Sequence, residues 1–342
     1  MVNSNTFYLD SFWFYIVAFL WQSSCCTINL YSFLIYILNT SLDTIFKKKL
    51  TLEDNIYYHN KSNEESEKIE KFYNISPFPN YSQDNSKRET LLRGEKNLFF
   101  KNLKNFIGYN KKVIEVGSGT CQLSMYLALK TNNEIFALDT TINSLKIARD
   151  FKFKNKINNV HLVKANIFDE IFFDEVFDIV YCTGVLHHTF NPKKGFNIIC
   201  NNLKQNGYII VGLYNKIGRF RTFIRQKLYK IFGKKIIKIL DPHLRKISSN
   251  SRDRELAWIR DQYIHPRESS HTFDEVLEWF RENNIKFINS IPSCEVNFDN
   301  HNFFEEKTTA NYFQRIFQQI SMIFSPLGGE GGLFLFIGKK VK

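Results

Sequence analysis

At 342 residues the chain can bury one large core, or a core with a cap. Its fifteen glycines and seven prolines argue against a linker-rich chain, and its six cysteines (25, 26, 121, 182, 200, 294) show no C-x-x-C pair and no Cys/His metal spacing, which argues against a structural zinc or iron–sulfur site and points to a reducing compartment. The net charge of +12 is concentrated: residues 216–260 hold fourteen Lys/Arg against three acids, an excess of eleven, so the charge is a local device.

Residues 11–42 carry no charged side chain, and 12–21 and 30–38 are strongly apolar. The polar stretch 22–29 between them interrupts the run of ~18 to 20 residues that a membrane span usually shows. No Lys or Arg precedes the segment, which argues against a secretory signal. Lys47, Lys48 and Lys49 follow it, so a genuine span would leave the rest of the chain cytoplasmic. A membrane anchor competes here with a helix packed on the domain and with an overextended start. The expected location is the cytoplasm, with or without membrane association.

Residues 51–70 are polar and acidic and predict a linker running into a helix. The stretch FYNISPFPNY (72–81) cannot be a regular helix. Its Tyr73, Phe78 and Tyr81 suit either a lid over a cationic ligand or plain core packing. Residues 91–106 have helical periodicity. Strands are then predicted at 112–116, 134–138, 160–164, 177–182, 208–213, 285–291 and 333–337. Helices are predicted at 122–130, 142–151, 193–203 and 273–282, with a turn at 205–207. This alternation predicts an α/β, Rossmann-like, seven-stranded and mostly parallel sheet with helices on both faces. Expected boundaries are an N-terminal extension 1–50, a flank or lid 51–110, a core 111–215, a basic helical cap 216–270 and a closing part 271–342.

The run VIEVGSGT (113–120) reads as a buried strand, a tight glycine turn and a helix start. Twenty residues beyond Gly119, Asp139 ends the next strand, where a carboxylate can accept two hydrogen bonds from a ribose diol. A dinucleotide site needs G-x-G-x-x-G, yet Gln122 stands where the third glycine belongs. Glu115 adds an anion where a pyrophosphate would sit. A phosphate-free, cationic nucleoside is the better match, and S-adenosylmethionine (SAM) has that chemistry.

Five segments in order, VIEVGSGT, IFALDTT (135–141), VKANIFD (163–169), FDIVYCTGVLHHT (177–189) and LKQNGYIIVGLYN (203–215), resemble class I SAM-dependent methyltransferases of the type 11 group. The flanks PFPNY, LDPHLR and DQYIHPRESSHT are similar to those of a bacterial subfamily. The resemblance implies an antiparallel last strand and a helical cap insertion. It also implies roles: Glu115 organises the turn and the methionine ammonium, Gly117 and Gly119 give backbone contact, and Asp139 holds the ribose. Asn166 stands where many members carry an Asp for the adenine amine, and its amide oxygen can accept the same bond. Ser118, Thr140, Ile167 and Thr183 complete the cofactor set. Cys121 stands where many members have another glycine.

Methyl transfer from a sulfonium needs chiefly positioning, and a base only if the acceptor must lose a proton. His187 and His188, at the C-terminal end of a central strand, are candidate bases, as is Tyr214 at the end of the next strand. The competing reading of the histidines is a helix cap or packing beneath the cofactor. Asp261, Tyr263, His265, Glu268 and His271 form a polar stretch that suits a substrate pocket, or simply the capping of the next helix by Ser270 or Thr272. The basic segment suits a solvated cap, an anionic membrane surface or nucleic-acid phosphates. The expected function is methyl transfer from SAM to a small-molecule or lipid-like acceptor. An RNA methyltransferase using 216–260, and a non-catalytic SAM-fold scaffold, are the alternatives. No metal is expected.

Overall fold

The strands predicted over 112–213 form the parallel centre of a nine-stranded sheet. The computed structural model describes residues 44–59, 86–246, 252–265, 267–295, 302–324 and 331–342. The chain divides into two compact units, Met1–Lys47 and Lys48–Lys342, and the whole sheet belongs to the second. The uncharged stretch 11–42 and the aromatics Tyr73, Phe78 and Tyr81 lie outside the described residues.

The strands are β1 (Thr51–Glu53), β2 (Ile56–Tyr58), β3 (Lys112–Val116), β4 (Glu134–Asp139), β5 (Val160–Lys164), β6 (Phe177–Thr183), β7 (Leu203–Tyr214), β8 (Ile285–Ile291) and β9 (Leu333–Lys340). Their order across the sheet is β1-β2-β5-β4-β3-β6-β7-β9-β8. β2 through β7 run parallel, while β9 pairs antiparallel with both β7 and β8. β3, β4, β5 and β6 are near-continuous apolar runs because helices cover both of their faces. The order reverses between β3 and β6, which opens a crevice at their C-terminal ends.

Helices α1 (Lys87–Lys96) and α2 (Leu98–Ile107) precede the core. A capping box at Ser86 starts α1, and Asn97, which ends α1, caps α2. Within the core, α3 (Gln122–Ala128), α4 (Ile142–Lys154) and α5 (Pro192–Asn201) connect successive strands. The basic segment is helical as predicted, in α6 (Phe220–Phe232), α7 (Lys234–Leu240), α8 (Pro242–Lys246) and α9 (Arg252–Ile259), followed by a π-turn over Arg260–Ile264. The cap has its own small core, in which Asp241 accepts from Trp258 Nε1 at 2.8 Å and from the Tyr263 hydroxyl at 2.7 Å. Thr272 caps α10 (Phe273–Glu282), and α11 (Tyr312–Ser321) lies between β8 and β9.

Three sequence expectations are corrected. Residues 51–58 are a hairpin rather than a linker: Asp54 and Asn55 both take left-handed φ (+50° and +58°), as a two-residue turn between twisted strands requires, and β2 adds in parallel to β5. The expected turn at 205–207 is absorbed into β7, where Asn206 has φ +64° and the pairing shifts register against β6. The 91–106 helix is two helices, divided at Asn97.

Candidate active site

A cleft of about 410 Å³ opens at the C-terminal ends of β3 to β7. Each of these strands delivers one expected residue to it or to the turn that follows: Gly117, Asp139, Asn166, Thr183 and Tyr214. Glu115, Ser118, Gly119, Thr140, Ile167 and His188 also line it. His187 does not.

The glycine turn is shaped by what surrounds it. Gly117 and Ser118 both donate their amides to Leu138 O, at 2.8 and 3.0 Å, which pins the turn to the end of β4. Gly117 has φ +68°, and a Cβ there would lie 2.2 Å from Val185 Cγ2, so no side chain can be admitted. Cys121 takes φ +59° at the N-terminus of α3, the conformation that glycine adopts most easily, and is fully buried. Its Sγ lies 3.3 Å from Ser118 Oγ.

Asp139 braces the same turn. Gly119 N–H donates to its Oδ2 and Thr141 N–H to its Oδ1, both at 2.7 Å. Glu115 is buried behind the turn, where its Oε2 accepts from Ser124 N–H at 2.9 Å and from the Ser124 hydroxyl. Burial raises its carboxyl to about 7, against the opposing effect of the Ser124 bonds. Asn166 Oδ1 accepts from Phe168 N–H at 3.0 Å, so the oxygen expected to meet the adenine amine also caps the short 3₁₀ turn Ile167–Asp169.

The two histidines have different surroundings. His187 is completely buried and stacks on Tyr214 at 3.8 Å, and neither of its ring nitrogens has a partner among the described residues. Burial pushes it well below the ordinary histidine range. His188 lines the cleft, and its Nδ1 lies 3.0 Å from Arg267 O. That contact makes Nδ1 the protonated nitrogen and Nε2 the basic one. Burial lowers its pKa, and the nearby Asp261 carboxylate opposes the shift.

A largely buried polar network closes the far end of the cleft; the sequence marks its Tyr214, Asp261 and Glu268 but not its Arg219 and Gln262. The Arg219 guanidinium lies 3.4 Å over the Tyr214 ring and makes two bonds to the Glu268 carboxylate, at 2.7 and 2.6 Å. Gln262 Nε2 donates to the Tyr214 hydroxyl at 3.0 Å and to Asp261 Oδ2 at 2.8 Å, and Asp261 lines the cleft. In sequence Arg219 is one of the charges of a solvated cap, but it is buried. The available signal is its place five residues after Tyr214, with Glu268 in the polar stretch downstream. Of that stretch, Tyr263 belongs to the cap core, His265 stacks on His188 at 3.8 Å, and His271 pairs with Glu275 at 2.7 Å.

Three carboxylates, those of Glu115, Asp139 and Asp261, line the cleft, and among its described lining residues there is no Lys or Arg. Such a lining suits a cationic ligand and opposes a pyrophosphate. Among the described residues no group of His, Cys, Asp and Glu could hold a metal ion.

A family model described as a methyltransferase domain matches residues 107–284. An uncharacterized protein of Synechococcus sp. is 24% identical over 201 residues, covering 52% of this chain and 48% of its own length. An uncharacterized protein of Methanocaldococcus jannaschii is 34% identical over 138 residues, covering 40% of this chain and 52% of its own length. The chain thus spans about half the length of the curated relatives it matches. Among solved structures, PKMT2 from Rickettsia typhi superposes with a TM-score of 0.52 at 14% identity, over 72% of this chain and 54% of that one, a likeness of fold.

Proposed function

This chain belongs to the methyltransferase domain family, and on that premise we propose that it transfers a methyl group from SAM to a small-molecule or lipid-like acceptor. The observation that carries the reading is the acidic lining of a cleft at the ends of five parallel strands. SAM is a phosphate-free cation, and its sulfonium supplies an activated methyl carbon. Gly117 and Gly119 would give it backbone approach, Asp139 would accept from its ribose hydroxyls, and Glu115 would balance its positive charge.

The remaining chemistry falls to the acceptor end of the cleft. Tyr214, fixed by Gln262 and Arg219, and Asp261 provide hydrogen-bonding groups that orient a polar atom of the acceptor. His188 Nε2 is the candidate to take a proton from an acceptor hydroxyl or amine, because its other nitrogen is committed to Arg267 O. His187 lies behind Tyr214 and supports the ring instead of facing the cleft.

Incubation of the protein with methyl-labelled SAM and a cell extract, fractionated into small molecules, lipid, RNA and protein, tests the reading. Protein-dependent label is expected in the small-molecule or lipid fraction. Label confined to RNA would replace the acceptor class, and label in no fraction would favour a scaffold.

A further inference from the structure

Helix α11 carries its polar residues inward and its apolar ones outward. Gln318 and Gln319 are buried. Gln319 Oε1 accepts from Asn215 Nδ2 at 2.8 Å and from Phe273 N–H at 3.1 Å, while Gln318 Nε2 donates to Glu295 O at 2.9 Å. Phe313, Phe317, Ile320 and, just past the helix, Phe324 recur at intervals of four, three and four residues, which forms one stripe. They are 80, 57, 42 and 75% exposed. A surface helix in water normally does the reverse.

A second apolar stripe lies on α6, where Phe220, Phe223, Ile224 and Ile231 are exposed. The two elements meet where Arg221, between the first two of these, donates to Ile323 O at 3.4 Å. Residues 216–240 contain nine Lys/Arg and no Asp or Glu. Of the nine, Arg219 is buried on Glu268, and Lys234 and Lys238 on α7 pair with Glu255, whereas Lys227 and Lys230 stand exposed on α6 itself. Residues 309–324 contain no acid either, and their one cation, Arg315, is turned to Asp274. Two apolar stripes, the one on α6 bordered by cations and neither segment holding an acid, match an interface of acyl chains and anionic headgroups. A second copy of the chain would oppose cation to cation on this face.

We propose that α6 and the α11 stripe form a docking face for an anionic lipid bilayer, with the phenylalanines entering the interface and the α6 cations meeting lipid headgroups. The inference is independent of methyl transfer and of residues 11–42. It is tested by co-sedimentation of the full chain with vesicles of phosphatidylcholine, alone or mixed with phosphatidylserine. Binding is expected to the mixed vesicles and to weaken with salt. It is expected to fall roughly tenfold or more in the triple variant Phe313→Ser/Phe317→Ser/Phe324→Ser, and similarly in Lys227→Glu/Lys230→Glu. All five positions are exposed, and far-ultraviolet circular dichroism checks the fold of each variant. Binding that neither variant changes, equal binding to neutral vesicles, or binding to tRNA with none to vesicles overturns the proposal. So does a monomer–dimer equilibrium abolished by the triple variant while vesicle binding persists.

Discussion

Asp139 holds the turn that it faces: its Oδ2 receives the Gly119 amide at 2.7 Å while Oδ1 receives that of Thr141 at the same distance. One side chain thereby sets the separation between the glycine turn and the end of β4, the two walls of the proposed ribose site. Asp139→Ala removes both braces and the expected ribose acceptor. The expected result is SAM binding weakened by about a hundredfold or more, since two charge-assisted hydrogen bonds are each worth roughly 1.5 kcal/mol or more. Calorimetric titration of the variant measures it.

Glu115 would make the proposed SAM site pH-sensitive. Burial holds its carboxyl near 7 in the folded protein, above its unfolded value of 4.5. The folded state therefore binds a proton that the unfolded state has released, so this group's contribution is fully present below 4.5 and is lost as pH rises through about 7. A cationic cofactor favours the ionised carboxylate. SAM affinity is then expected to rise with pH through about 7, by at most about tenfold per unit. Glu115→Gln should flatten this dependence, and titrations on either side of neutrality read it directly.

Gly117 tests the packing of the turn against Val185. Gly117→Ala forces a Cβ to within 2.2 Å of Val185 Cγ2 and places an L-residue at φ +68°. The left-handed backbone alone costs roughly 1 to 2 kcal/mol, and the overlap adds to it. Val185→Ala removes the two nearest contacts, so the double variant is expected to recover part of the loss but not the backbone component. Denaturant unfolding of the four proteins in the cycle gives the coupling.

Arg219, buried, pairs with the half-buried Glu268 carboxylate at the far end of the cleft. Arg219→Met removes both charge-assisted bonds and leaves Glu268 only Gln226 Nε2, at 3.4 Å, at an expected cost of about 3 kcal/mol. The double variant with Glu268→Met should regain much of it, because it leaves no uncompensated charge. A double variant no more stable than the single one would contradict this account of the network.

His188 and His187 are separable by their pH profiles. His188→Gln is expected to lower the methyl-transfer rate about a hundredfold with SAM affinity nearly unchanged. In the unmodified protein the acid limb of the profile is expected below 6.5, because burial lowers the His188 pKa, with activity falling as pH drops through it. His187→Phe preserves the stack on Tyr214 and should preserve that limb.

Much of the centre is legible in the sequence because fully covered parallel strands read as apolar runs, and because E-x-G-x-G with an acid at the end of the next strand is a local pattern. What escapes is long-range. The 51–58 hairpin is three residues per strand, and its partner β5 is a hundred residues away. Arg219 looks like one more charge of a basic cap, since only the fold brings Glu268 and Tyr214 to it. The neighbouring histidines are indistinguishable in sequence, yet one lines the cleft and the other is sealed behind Tyr214. The outward phenylalanines of α11 have ordinary helical spacing. Which face of that helix is buried is decided by Asn215 and Glu295, far from it in the chain.

On the proposed function, the glycine turn and its carboxylates select a cationic nucleoside over a dinucleotide. Isothermal titration of the full chain with SAM and, separately, with NADH tests it most directly. Saturable SAM binding that Asp139→Ala weakens about a hundredfold or more, with no NADH binding, is the expected result. Tight NADH binding, or SAM binding indifferent to Asp139, would contradict it.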